Sequence, residues 1–179
     1  MLPRRHGLAF LLLIPIPCLS STFAGRVVRV LDGDTIEVLH NYHPERIRLS
    51  GIDYPEKGQA YGQRAKQATS ALVFGKEVML QTFGKDKYGR TLADVRLLDG
   101  TNVNHTLVKD GWCWWYRKYA PGNAVLEELE KAAREGRKGL WGAPVHVPPW
   151  EGEKGKRRPW RPQLAKEDSS LSCGHRNLP

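Results

Sequence analysis

Short runs in which apolar residues alternate with polar ones, interrupted by three stretches of helical period, run along the chain from Arg26 onward. Val28 and Val30, then Ile36 and Val38, alternate on either side of Asp32-Gly33. A period of two across a tight-turn dipeptide predicts a hairpin with strands over 26–31 and 34–40, the turn being favoured for its positive φ angles. A third strand is expected over 46–52, with Ile47 and Leu49 on one face and Arg46 and Arg48 on the other. Strict alternation puts Arg48 and Asp53 on opposite faces, so they meet only if the chain bends or bulges near Gly51. Pro55 ends the strand and holds Tyr54 extended. Tyr61, Ala65, Ala68 and Leu72 then recur at helical spacing, predicting a helix over 59–74 closed by Gly75 and covering a barrel end. Two further strands are expected over 76–82, with Val78 and Leu80 inward, and 91–98, where Leu92, Val95 and Leu97 alternate imperfectly. Helices follow over 103–109 and 121–137, the second with Leu126, Leu129 and Ala133 on one face and a charged, solvated opposite face. Between them lies Trp112-Cys113-Trp114-Trp115-Tyr116-Arg117-Lys118-Tyr119, too aromatic to be wholly exposed, so several of its rings belong to the core.

The two ends differ from this body. Residues 1–24 carry a positive start at Arg4-Arg5-His6, an apolar stretch from Leu8 to Ile16, and small residues around Ala24. That is the pattern of a cleaved export signal, with cleavage expected after Ala24 and delivery to the periplasm or outside the cell. A stable membrane anchor needs roughly 20 apolar residues, and Pro15 and Pro17 interrupt the run. From Pro144 the composition shifts to Pro, Gly, Lys, Arg and Ser with isolated Trp150 and Trp160, so 148–179 reads as a basic, disordered tail. One domain over 25–147 remains. The 179-residue chain has a formal charge of +9 and a pI near 9.6, and residues 1–24 contain two arginines and no acid, so a positive excess stays with the mature protein. Such a balance favours an acidic partner, nucleic acid first and an anionic surface second. Cys113 and Cys173 could pair after export, or Cys113 could pack as a small apolar residue among the tryptophans. No Cys and His cluster has zinc spacing, and P-loop, GxSxG and HExxH patterns are absent.

The chemistry concentrates in Arg48-Leu49-Ser50-Gly51-Ile52-Asp53-Tyr54-Pro55-Glu56, one guanidinium and two carboxylates within a strand and its exit. Asp34 is an acid that the Asp32-Gly33 turn does not require. A second arginine closes Asp86-Lys87-Tyr88-Gly89-Arg90. Taken singly, each is an ordinary solvated strand end or charged turn. Together, two acids for a hard cation, two arginines for a phosphate and one remaining carboxylate as base suit phosphodiester hydrolysis. Tyr119, following Arg117 and Lys118, is placed to stack on a base.

In that order, Asp32-Gly33-Asp34-Thr35, Arg48 to Glu56 and Asp86 to Arg90 resemble the staphylococcal nuclease (thermonuclease) family over roughly residues 25–142. The resemblance implies an α+β, mainly β fold, a five-stranded OB-fold barrel capped by about three helices, acting as a monomer. It also implies calcium-dependent hydrolysis of DNA and RNA to 3′-phosphate products. By motif position, Asp34 and Asp53 with the Tyr54 carbonyl match the family's calcium ligands, Arg48 and Arg90 its catalytic arginines, and Glu56 its general base. Lys87 and Tyr88 match positions near a terminal phosphate of the bound nucleotide, and Tyr119 a tyrosine of the base pocket. Two positions depart from the family's best-known member: Tyr54 replaces a threonine, and Arg117 falls where a second pocket tyrosine stands. The rival expectation is a non-catalytic OB-fold nucleic-acid-binding module, which would lose some of Asp34, Arg48, Asp53, Glu56 and Arg90; this chain keeps all five. A third, an envelope-surface binding protein, needs the basic tail rather than the acids.

Overall fold

The computed structural model describes residues 21–55, 58, 61–143 and 148–150. Among them are seven strands, β1 (Thr22–Asp32), β2 (Thr35–His40), β3 (His43–Leu49), β4 (Ile52–Asp53), β5 (Glu77–Lys85), β6 (Thr91–Leu97) and β7 (Trp114–Trp115). Three α-helices, α1 (Gly62–Val73), α2 (Val103–Lys109) and α3 (Ala124–Glu135), and a 3₁₀ turn at Gly139–Gly142 complete the description. Five strands close into a barrel in the order β1-β2-β3-β6-β5. Its one parallel pairing is β3 with β6, and β4 pairs separately with β7 as a two-stranded ribbon. This is the five-stranded OB-type α+β architecture that the resemblance implied.

Closure depends on β1, which is eleven residues long and shifts register between Val27 and Arg29 and again between Val30 and Asp32. Those irregularities bend the strand, so its second half pairs with β2 and its first half with β5. Strand β1 begins at Thr22 rather than near residue 26. Thr22, Phe23 and Ala24 pair with Gln81, Leu80 and Met79, the Phe23 ring stacks on His40 with centroids 3.9 Å apart, and the Ser21 carbonyl accepts the Thr82 N–H at 2.8 Å. The processing point expected after Ala24 therefore falls inside a barrel strand.

Alternation fills the barrel. Ile36 and Val38, Ile47 and Leu49, Val78 and Leu80, and Ala93 and Val95 are all buried inside it, and burying a larger aliphatic side chain contributes about 1.5–3 kcal/mol. In β6, where Leu92, Val95 and Leu97 alternated imperfectly in the sequence, the inward set is Thr91, Ala93 and Val95. The pairing of Ala93 with Thr82 and of Val95 with Leu80 fixes that register.

Helix starts follow their caps. Asn102 accepts the His105 N–H and opens α2, while Asn123 accepts the Leu126 N–H, so α3 begins at Ala124 and not at 121. The polar face of α3 is not wholly solvated as expected. Glu130 is 2% exposed and accepts the Trp115 N–H at 3.2 Å, Arg117 at 3.1 Å and Arg134 at 3.2 Å. That carboxylate ties α3 to the ribbon. Trp114, Ala133, Leu140 and Trp141 form a second small core beside it.

Candidate functional site

The β1–β2 hairpin turn is shaped by what packs on it. Neither Asp32 nor Gly33 has the positive φ expected of the turn. Gly33 is needed for a different reason: a Cβ there would lie 2.9 Å from the Cβ of Tyr54. Its carbonyl accepts Thr69 Oγ1 from α1 at 2.6 Å, and Cys113 Sγ lies 3.9 Å away. Clamped from both sides, the turn buries Asp34 to 1% exposure.

Arg48 and Asp53 do meet. Gly51 takes φ 69°, a left-handed conformation natural to glycine, and the turn sends Ile52-Asp53 into β4 instead of extending β3. Arg48 Nη1 donates to the Leu49 and Ile52 carbonyls at 3.2 and 2.9 Å, holding the bend closed. Its Nη2 donates to Asp53 Oδ1 at 2.9 Å, and Nη1 lies 2.6 Å from Asp34 Oδ2. One guanidinium thus touches both acids.

A second arm reaches the same carboxylate. Thr35 Oγ1 donates to Asp34 Oδ1 at 2.9 Å and accepts Arg90 Nη1 at 3.3 Å. Arg90 is held in turn by Asp86, whose Oδ2 takes its Nε at 2.7 Å and whose Oδ1 takes the backbone N–H groups of Tyr88 and Arg90. A chain of polar contacts therefore runs Arg90–Thr35–Asp34–Arg48–Asp53, and all of these but Thr35 line a cavity of about 550 Å³. Lys87 and Tyr88 line the same cavity, the Tyr88 ring lying under Lys87 Nζ at 4.8 Å and Arg90 Cζ at 5.4 Å. Tyr54 lines it too.

The electrostatics single out Asp34. Burial drives its carboxyl up from 3.8 to about 7; Arg48 pulls it down, Asp53 pushes it up, and Thr35 and Arg90 lower it. Burial also pushes Cys113, directly behind, well above the usual thiol range, with the Asp34 charge adding to it. Asp86 behaves in the opposite way: desolvation, the largest single influence, raises it, but the hydrogen bonds from Arg90 and Tyr88 and the Arg90 charge together hold it below the usual carboxylate range. Asp34 Oδ2, despite its nearness to Arg48, has no aligned hydrogen-bond donor. A buried carboxylate whose Oδ2 is met only by the Arg48 ion pair, with a second carboxylate on the same guanidinium, suits a hard cation that takes oxygen ligands. Among the described residues no three His, Cys, Asp or Glu side chains gather to hold a metal. The fit thus rests on Asp34 and Asp53, with carbonyl and water oxygens filling the remaining positions.

Tyr119 also lines the cavity, 67% exposed and edge-on to Tyr116 at 4.8 Å, and with Tyr116 gives it an aromatic side. Tyr116, not residue 117, is the second tyrosine of this wall. Arg117 turns away, with its guanidinium 4.3 Å over the Trp115 ring and on Glu130. Sequence reasoning missed Tyr116, Thr35, Asp86 and Glu130. Only Asp86 carried a usable signal, an acid four residues before Arg90 within a turn. Glu56 and the basic stretch 154–161 lie outside the described residues, as do residues 1–20.

The family model described as "Staphylococcal nuclease homologue" matches residues 46–143. An uncharacterized endonuclease of Escherichia coli O157:H7 is 45% identical over 147 residues, covering 82% of this chain and 95% of that protein. A micrococcal nuclease of Shigella flexneri is 43% identical over 157 residues, covering 83% of this chain and 90% of its own length. A probable staphylococcal-like nuclease of Oryza sativa subsp. japonica is 41% identical over 112 residues, 63% of this chain but 33% of the plant protein.

Proposed function

Since the chain belongs to the staphylococcal nuclease family, we propose that it is an exported, calcium-dependent nuclease that hydrolyses phosphodiester bonds of DNA and RNA with little sequence preference, leaving 3′-phosphates. That it is a hydrolase acting on nucleic acid follows from the family; the cation, products, substrate range and export are our reading. The observation that carries it is the convergence of Arg48, Asp34, Asp53 and Arg90 on one cavity.

Asp34, Asp53 and the Tyr54 carbonyl would hold the calcium ion. When bound, it would supply positive charge against a phosphate oxygen and lower the pKa of water nearby. The protein's own groups do the rest. Arg48, satisfied by carboxylates in this structure, exchanges them for phosphate oxygens, which are also anionic and accept the same planar guanidinium fork. Arg90, fixed by Asp86, approaches the same phosphate from the other side. Both donate hydrogen bonds as charge builds on the equatorial oxygens, and neither gives up a proton, because guanidinium keeps its proton above pH ~12. Glu56 is proposed to take the proton of the attacking water, a role worth about 10²- to 10⁴-fold. Lys87 and Tyr88 bind the adjacent phosphate, and Tyr119 a base.

The protein is further proposed to act as a monomer free of the membrane. Among the described residues no helix is long and apolar enough to cross one. Pairing of Thr22 to Ala24 within the barrel supports processing before Ser21 rather than after Ala24. Incubating the processed protein with plasmid and with single-stranded RNA, in calcium or in chelator, tests the function. Cleavage restricted to the calcium arm is expected, and binding without cleavage in either arm would favour a non-catalytic module.

A further inference from the structure

The cavity has two unlike walls, and the aromatic one contains a residue from beyond the barrel domain. Residues 148–179 were expected to be tail, yet Pro148 to Trp150 are described, and Pro149 and Trp150 line the cavity. Residues 151–179 lie outside the described residues. The Trp150 ring lies parallel to Tyr116, 8° between planes and 5.2 Å between centroids. It also meets Trp114 edge-on at 6.4 Å. Trp114 is 3% exposed and belongs to the second core.

These contacts join two anchors. Tyr116 donates its N–H to the Gly51 carbonyl at 2.9 Å, the same turn that returns Asp53 to the acids. Trp114 pairs with Asp53 in the ribbon. Trp150 is thereby held on the frame that positions the acidic cluster, while itself remaining only partly buried on the cavity side. The cationic Lys85, Lys87 and Arg90 line the same cavity. A cationic wall suits phosphate, and a row of rings ending in an indole suits the flat face of a base.

We propose that Trp150 is a substrate-binding residue that stacks on an unpaired nucleobase flanking the scissile phosphate, making the segment after the barrel part of the nuclease site. The inference rests on the nuclease reading for the word scissile, but not for the stacking itself. Base–aromatic stacking is indifferent to base identity, so this contact adds affinity without adding sequence preference.

The test uses the processed full chain, the variants Trp150→Ala and Trp150→Phe, and single-stranded oligonucleotides that are intact or carry one abasic position beside the cleavage point. On intact oligonucleotide Trp150→Ala should raise KM about 10- to 100-fold, with kcat within twofold and Trp150→Phe restoring most of the loss. On the abasic oligonucleotide, wild type and Trp150→Ala should have the same KM. An equal penalty on both oligonucleotides, or a loss confined to kcat, would overturn the proposal. Anisotropy of the labelled oligonucleotides in chelator gives the same comparison without catalysis. If wild type binds the intact strand more tightly than the abasic one and Trp150→Phe keeps that difference while Trp150→Ala erases it, the stacking stands even if cleavage is never seen. If the difference survives in Trp150→Ala, the stacking is refuted even in an active nuclease.

Discussion

Replacing Asp34 by asparagine should make the metal-free protein more stable at pH 8 and no more stable at pH 4. Asp34 is fully buried, and burial raises its carboxyl from 3.8 to about 7 in spite of Arg48. For an acid raised in the folded state, the proton favours folding. The stabilisation is complete below the unfolded value of 3.8, is lost progressively as pH rises to about 7, and is gone above that. Ionising such a carboxyl costs the folded state about 4 kcal/mol. Asparagine keeps the hydrogen bond from Thr35 and never ionises, but its amide faces the Arg48 guanidinium, a cost of about 1–2 kcal/mol. The net gain at pH 8 is therefore about 2–3 kcal/mol, or roughly 5–15 °C in melting temperature. Thermal unfolding followed by circular dichroism in chelator, at pH 4 and pH 8, measures it. Calcium at pH 8 should stabilise the wild type and leave Asp34→Asn unmoved. A variant whose stability falls with pH as steeply as the wild type, or that is weaker at pH 8, would refute the assignment of strain to Asp34.

Three further outcomes are expected. Arg90→Lys should lower kcat about 10²- to 10³-fold with KM little changed, because a compact ammonium cannot fork onto two phosphate oxygens; steady-state cleavage of an oligonucleotide separates the two constants, and a pure KM effect would contradict the role. Asp86→Ala removes the carboxylate that seats the Arg90 guanidinium, so kcat should fall about 10- to 100-fold, while calcium affinity measured by calorimetry stays within threefold of wild type. Amino-terminal sequencing of the exported protein should begin at Ser21 or earlier, and a start at Gly25 would contradict the pairing of Thr22 to Ala24 with β5.

Much of the barrel was legible because its signal is local. Ile36 and Val38, or Ile47 and Leu49, state a face by alternation alone, and a one-residue slip would expose every one of them. The need for a bend at Gly51 was also readable, since an odd spacing separates Arg48 from Asp53. What escaped is set by partners distant in sequence. The start of β1 at Thr22 rather than near 26 escaped because nothing local says that β5 extends to receive Thr22 to Ala24. Gly33 was assigned to positive φ, whereas the glycine is demanded by Tyr54, twenty-one residues later. Glu130 read as a solvated helix charge because its partner N–H is on Trp115, in a two-residue strand too short to show periodicity. The aromatic wall failed for the same reason: within Trp112 to Tyr119 neither period could assign Tyr116 to the cavity and Arg117 to Trp115.

Calcium and phosphate binding are coupled if both lie where Asp34, Asp53, Arg48 and Arg90 meet. Calorimetric titration of calcium into the metal-free protein at pH 8, with and without a 3′-phosphorylated dinucleotide, measures that coupling. One ion per chain is expected, bound at least about tenfold more tightly with the dinucleotide present, as a coupling above ~1.4 kcal/mol requires. An affinity unchanged by the dinucleotide, or heat of binding that persists in Asp34→Asn, would contradict a shared site.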